Sequence, residues 1–420
     1  VLNKIYSEVE KQYFSSGDFN GLPVYNLQSN FDVIESELRS IIREGIETDV
    51  FTVEIYGNTH IKAFSKVTKE KMLECYDTED FPANMCLYPH SHKLQDNPLL
   101  EKYKEAPYQF DLAKGGGQLD YNTFDLSVLE FYRNDPRYTY ETDFIHGYIC
   151  ITNEYFESGL VPEKDQILLK TFGFAYDDEL NRYVAVFSRY LAGLSPEHQQ
   201  IWRSKEVKGN IKLHPDYYAS SILGSWGTKL SIFEAFVQEL EIINQMCQLM
   251  RKPFLFHNSF SQERPKEFGF LLRPTISEFN SFMLLLDKMM SDNLNKKFFE
   301  NDVSVEVEEE RDDGKIIIRP KGTIQILESW IDMYYQTPDR KHVDQMLAAF
   351  RKVRKLRQKP AHKVNVDSFD QSLFKKQRDV VIKAYDAVRT LRLMLANHPA
   401  VMANPPEIND RLFKGEIWDI

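Results

Sequence analysis

The stretch "KLRQKPAHKV", Lys355 to Val364, is strongly basic inside a chain of 420 residues whose formal net charge is -11. An apolar stripe runs straight into it: Val343, Met346, Leu347, Phe350, Val353 and Leu356 stand three and four apart. That spacing predicts an amphipathic helix ending in this stretch. Upstream, Thr337-Pro338 reads as a cap followed by a first-turn proline. Downstream, Ser368 with Gln371 gives a capping-box signal for a long helix to about Leu395, with Phe374, Val381, Tyr385, Val388 and Leu391 as its stripe. Before them, Thr323 to Gln336 carries Ile324, Leu327, Trp330, Ile331 and Tyr334 on one side. Thr275, with Pro274 before it and Glu278 three residues on, opens another helix that runs through "FMLLLDKMM" towards Phe299. These four segments predict a helical bundle.

Further out the pattern changes. "TKLSIFEAFVQELEIINQMCQLMRK" (Thr228–Lys252) puts Phe233, Val237, Leu240, Ile243, Cys247 and Met250 on one helical face, closed by Pro253. "SVEVEEERDDGKIIIRPKG" (Ser304–Gly322) pairs an acidic arm with an Ile-rich arm around Asp313-Gly314, a hairpin signal. "DVFTVEIYGNTHIKAFSK" (Asp49–Lys66) reads as a second hairpin around Gly57-Asn58. A helix is expected over Phe31–Ile46, and strands in "HGYICITNEYF" and "RYVAVFSRYL". The expected fold class is α+β: a mixed α/β region over 1–200, a helical connecting region over 201–274, and an all-α bundle with an inserted hairpin over 275–420.

Composition bounds the function. Hydrophobic residues at 42% and charged residues at 27% are ordinary for a globular chain, and 29 Phe with 22 Tyr argue against long disorder. The acidic balance excludes a general, whole-surface nucleic-acid binder but leaves room for a local basic site. Cys75, Cys86, Cys150 and Cys247 lack paired spacing, so reduced thiols and a cytoplasmic location are expected. No apolar run approaches the roughly 18 residues that span a bilayer. Position 1 is Val, which leaves room for an upstream start.

Arg357 and His362 make the basic stretch a candidate for RNA chemistry. A neutral imidazole takes the proton of a ribose 2′-OH near working pH. A guanidinium holds the scissile phosphate and stabilises charge that grows in the transition state. Gln358 would orient either partner, and Arg351, Lys352, Arg354, Lys355, Lys359 and Lys363 would draw RNA in. The nucleophile is internal to RNA, so DNA is spared and the product ends in a 2′,3′-cyclic phosphate. On an ideal helix, positions five apart diverge by roughly 140°. Pro360 breaks that geometry by clashing with the Leu356 carbonyl, and a second chain across a two-fold axis offers another way to bring the groups together. The same residues also read as an ordinary charged helix end, because cations offset the helix dipole there.

"RQKPAH" (Arg357–His362), late in a C-terminal helical bundle, resembles the R-x(4–6)-H motif of the HEPN superfamily of nucleases. The resemblance covers roughly residues 275–398. It implies a dimer with facing motifs and metal-independent endoribonuclease activity on RNA. It also implies a role as a toxin or antiviral-defence effector, or else a non-catalytic scaffold. The residue after the family's arginine is more usually Asn, Asp or His, and here it is Gln358.

Two other pairs share the spacing. Arg392/His398 has Leu393 after the arginine, and Arg251/His257 has Lys252 and Pro253, which reads as a helix end entering a buried strand. Cys86 with His90 and His92, and Cys75 as a fourth ligand, are metal-binding types without two tight pairs, so structural or surface roles are expected and no metal or cofactor is assigned. "AKGGGQ" (Ala113–Gln118) lacks the phosphate-loop pattern and reads as a turn. The acidic arm Glu306–Glu310 reads as a solvated edge strand.

Overall fold

Residues 1–31, 33–78, 84–310, 316–336, 338–358 and 366–419 are described by a computed structural model. The fold is α+β, in two units: Val1–Glu141 with His146–His214, and Thr142–Ile145 with Pro215–Ile420.

In the first unit, the helix Leu2–Ser15 buries Ile5, Val9 and Tyr13, four apart on one face. The helix Glu35–Glu47, expected within Phe31–Ile46, buries Leu38, Ile42 and Ile46. Both faces close on a small antiparallel sheet of β1 (Leu22–Pro23), β2 (Phe51–Glu54) and β3 (Cys86–Pro89), in the order β1-β3-β2. A larger sheet contains β4 (Tyr121–Phe124), β5 (Tyr138–Thr142), β6 (His146–Ile151), β7 (Leu168–Tyr176), β8 (Arg182–Phe187) and β9 (Lys212–Leu213). Its order is β4-β8-β7-β6-β5, with β9 pairing on β7.

The hairpin expected over Asp49–Lys66 does not form. Gly57 does turn, at φ +66°, but β2 pairs with β3, from Phe51↔Pro89 to Glu54↔Cys86. The arm after the turn bonds elsewhere: the Lys62 and Ala63 carbonyls accept from the amides of Gln118 (2.7 Å) and Leu119 (2.8 Å). Every residue of β3 is buried, so burial of apolar surface outweighs the local turn signal.

The second unit has β10 (Leu230–Ser231) parallel to the terminal β13, and a hairpin of β11 (Glu306–Glu310) and β12 (Ile316–Pro320), with β13 at Ile417–Trp418. The hairpin stands where the sequence puts it; its Asp313-Gly314 turn lies outside the described residues. Five helices make the core: α1 (Ile232–Leu249), α2 (Ile276–Met289), α3 (Thr323–Tyr334), α4 (Lys341–Gln358) and α5 (Ser372–Ala396). α5 packs along α1 on one side and α4 on the other; α4 in turn packs on α2 and α3. α1 is thus part of the bundle, and it is buried on two faces, because Ala235, Phe236, Ile242 and Met246 are covered as well as the predicted stripe from Phe233 to Cys247.

Two helix bounds differ from the sequence reading. α2 stops at Met289, well short of Phe299, because Ser291, Asp292 and Asn293 follow. Their short polar side chains compete for backbone groups. Asn293 donates to the carbonyls of Asn258 (2.7 Å) and Met289 (3.1 Å). α5 starts at Ser372, not Ser368. The Asp370 carboxylate accepts from the Ser372 amide at 2.9 Å, while the Ser368 carbonyl accepts from Ile276 at the start of α2. At the start of α2 the Thr275 hydroxyl does cap, accepting from the Glu278 amide at 3.2 Å. Thr337 of the expected α4 cap lies outside the described residues. Among the described residues no helix is long and apolar enough to cross a membrane.

α1 and α5 are also joined by charge. Glu239 of α1, with 0% of its side chain exposed, pairs with Arg392 of α5, at 3%. Burial pushes the Glu239 carboxyl up while Arg392 lowers it, and Glu239 Oε1 has no hydrogen-bond partner among the described residues. Removing one partner strands a buried charge, so Arg392→Ala is expected to lower unfolding free energy by about 3–5 kcal/mol. Replacing both, Glu239→Leu with Arg392→Met, is expected to return stability to within about 1 kcal/mol of the native chain, read by urea unfolding.

Candidate functional site

α4 is built to end in charge. Its buried stripe of Val343, Met346, Leu347, Phe350 and Val353 holds it in the bundle, with Leu356 half-buried. The three-residue spacing of Arg351, Arg354 and Arg357 lines those side chains along one flank. Arg351 meets Glu328 of α3 at 2.5 Å. Arg354 and Arg357 both meet Asp287, on the last turn of α2, and Asp292 just beyond it. The two helices therefore bring their C-terminal turns together. Each of those ends exposes carbonyls and carries negative potential, which the arginines offset.

The geometry separates the two arginines. Arg354 uses Nε on Asp287 (3.0 Å) and Nη2 on Asp292 (2.6 Å). Arg357 uses Nη1 alone, donating to Asp287 at 2.7 Å and also to Asp292. Its Nε and Nη2 donate to no described residue, which leaves one fork of the guanidinium open. The bond to Asp287, first among the causes, raises the guanidinium further above its ordinary value. Asp287 has 0% of its side chain exposed and Asp292 has 37%.

Of the other residues the sequence singles out, Gln358 is exposed at the end of α4, and Lys352 and Lys355 are exposed without a carboxylate partner among the described residues. His362, with Lys359, Pro360 and Lys363, lies outside the described residues. Asp287 and Asp292 are the site residues that the sequence reading passes over. The signal was a single acid inside the apolar run "FMLLLDKMM", on a helix with no other reason to hold one.

The rival pairs are accounted for differently. Arg392 is the buried partner of Glu239, and His398 caps the short helix Pro399–Ala403, accepting from the Ala400 amide at 3.2 Å. Arg251 sits beyond α1 in the left-handed region at φ +57°, before the buried Leu255 and Phe256. The cysteines are all free thiols. Cys86 is buried beside the Thr59 hydroxyl at 3.5 Å, and burial pushes its thiol up. His90 and His92 share a contact between their Nδ1 atoms at 2.7 Å. No group of three or more His, Cys, Asp or Glu side chains among the described residues is placed to hold a metal.

The glycine run is a packed turn. Gly115 has φ +90°, and a Cβ on Gly117 would stand 2.5 Å from the Ser65 amide nitrogen. The Gly115 carbonyl accepts from the Lys62 ammonium at 2.8 Å. Lys62 and Glu54 line a small cleft of about 70 Å³. Burial pushes the Glu54 carboxyl up to about 7 against the pull of Lys62, and it pushes the Lys62 ammonium down.

No family model matches the chain, and comparison with curated proteins and with solved structures gives no match.

Two predictions arise here. Asp287→Ala is expected to destabilise the bundle by about 2–3 kcal/mol, because two charge-assisted bonds lose a desolvated partner. Asp292→Ala is expected to cost under about 1 kcal/mol, because that carboxylate is wet; equal losses in urea unfolding would refute the assignment of Asp287 as the anchor. For Glu54, the folded carboxyl keeps its proton to about 7 while the unfolded one loses it near its ordinary value of 4.5. Its stabilising contribution is thus present below about pH 4.5 and lost as pH rises to about 7. Glu54→Gln is expected to flatten that fall, followed by urea midpoints across the window.

Proposed function

We propose that the chain is a metal-independent endoribonuclease of HEPN type, acting as a homodimer on cellular or foreign RNA in a toxin or antiviral-defence role. The observation that carries this reading is the open Nε/Nη2 fork of Arg357, held in place from behind by Asp287 and Asp292. A guanidinium oriented by one nitrogen and open at the other two matches the bidentate geometry of a phosphodiester. Arg354 offers no such fork, since both of its corresponding nitrogens are engaged. In this reading Arg357 binds the scissile phosphate and stabilises its transition-state charge, and Gln358 beside it orients the phosphate. His362, five residues on, serves as general base or acid, with the partner chain's copy of this histidine in the other role. Lys352 and Lys355 offer unneutralised charge for the RNA backbone, while Arg351 and Arg354 are matched by carboxylates.

A non-catalytic scaffold that uses the same bundle is favoured by one observation: two carboxylates stand against Arg357, and they repel an incoming phosphate. Cleavage of a mixed RNA in excess EDTA separates the two. The nuclease is expected to cut in the chelator, to leave 2′,3′-cyclic phosphate ends, and to lose at least about a hundredfold in rate on His362→Ala, the scale of a lost general acid–base. Its overexpression is expected to be toxic, and the same substitution to relieve the toxicity. No cutting by the pure protein, or equal cutting by both forms, would overturn the nuclease reading and favour the scaffold.

A further inference from the structure

The first unit contains a cavity of about 310 Å³, at the lower end of the range of small-molecule sites. Lys170 of β7 and Arg189 of the short helix Ser188–Ala192 line it. Neither has a carboxylate partner among the described residues. Three other arginines of the unit stand in ion pairs: Arg43 with Asp77, Arg137 with Asp135 and Arg203 with Asp111. The one acid on the cavity wall, Asp18, is exposed. Lys170 is exposed like Asp18, so the half-buried Arg189 is the cation that gives this concave wall its local positive potential in a chain of net charge -11.

The polar floor has a defined sense. Gln118, only 2% exposed, donates through Nε2 to the carbonyls of Asp18 (2.9 Å) and Phe19 (3.5 Å). Gln109 donates through Nε2 to the Ala192 carbonyl at 2.9 Å. Those acceptors fix both amides, so each Oε1 remains as an acceptor and receives no hydrogen bond from a described residue. Tyr190 adds a half-buried aromatic ring to the same wall, with the Arg189 guanidinium 5.5 Å from its centroid.

We propose that this cavity binds a mononucleotide whose base carries an exocyclic amine. The phosphate sits on Arg189 and Lys170, the base amine donates to Oε1 of Gln109 and Gln118, and the ring lies against Tyr190. The cations supply a phosphate site, the paired acceptors distinguish an amine-bearing base from uracil, and the volume fits one nucleotide. The site belongs to the first unit, and its assignment does not rest on the reading of the bundle.

Isothermal titration of the full chain with AMP, CMP, UMP and inorganic phosphate tests the assignment. AMP or CMP is expected to bind one per chain, at least about tenfold tighter than UMP or phosphate, a difference of one good hydrogen-bonded contact. Arg189→Ala and Lys170→Ala are each expected to weaken it about tenfold or more, with unchanged circular dichroism, and Arg189→Lys to recover part of the loss. Gln109→Ala is expected to shrink the preference for AMP over UMP while phosphate binding stays. No saturable binding of any nucleotide up to about 10 mM, the weak limit of useful affinity, would overturn the proposal. So would AMP and CMP binding no tighter than phosphate, or Arg189→Ala binding like the native chain.

Discussion

Asp287 is a carboxylate with none of its side chain exposed, on the last turn of a helix whose terminal carbonyls already carry negative potential. A buried charge in that position is strongly unfavourable unless cations meet it. Arg354 and Arg357 do so, and the requirement fixes much else. α4 must run its C-terminal turn to the end of α2, so that positions 354 and 357 face position 287. The polar Ser291-Asp292-Asn293 run ends α2 and places Asp292 as the outer, wetter half of the same charge cluster. The amide of Asp292 donates to the carbonyl of Asp287 at 3.0 Å, so backbone and side chains secure one corner together. Arg357 is thereby held at the bundle's end whether or not it meets RNA. The anchoring serves both readings of the site, and chemistry distinguishes them only at the open fork of the guanidinium.

What could be read from the chain followed the distance over which the deciding interaction acts. β11 and β12 are neighbours in sequence, and an acidic arm followed by an Ile-rich arm marked them. α4 and α5 were visible because a stripe at helical spacing is a local property. The pairing of β2 with β3 was not, since the two lie some thirty positions apart and a convincing turn at Gly57-Asn58 stood nearer, although β2 falls within the first arm of the expected hairpin. The bounds of α2 and α5 failed for a related reason. At Ser291–Asn293 and Ser368–Ser372 short polar side chains choose between capping and ending a helix, and distant carbonyls made the choice.

The candidate site divides in the same way. Arg357 and Gln358 were legible from the motif, and the basic surround from composition. Sequence alone could not say that two of the neighbouring arginines are neutralised, because Glu328 of α3, Asp287 of α2 and Asp292 just beyond α2 are distant in sequence. The cavity around Arg189 was not legible at all. Its wall is assembled from residues near positions 17–19, 109–118, 168–170 and 189–193, and nothing in any one segment marks it.

Net charge is therefore a poor guide to where this chain can meet an anion. Sixty-three acids against 52 bases argue for general repulsion. The local result depends on which cations the fold leaves unmatched. Arg351 and Arg354 look like phosphate ligands in the sequence, yet each is compensated at hydrogen-bond distance. Among the described residues, Lys352 and Lys355 on the exposed side of α4 meet no carboxylate, and neither do the exposed Lys170 and the half-buried Arg189 beside a concave wall. An exposed lysine is hydrated and screened, so it adds weak attraction that fades with salt. A half-buried arginine beside oriented amides is already partly desolvated, and an anion arriving there recovers more than it would at an open surface. That asymmetry is what sets the proposed small-ligand site in the cavity apart from the proposed RNA contact on the exposed face of α4: the second is expected to weaken with salt more than the first.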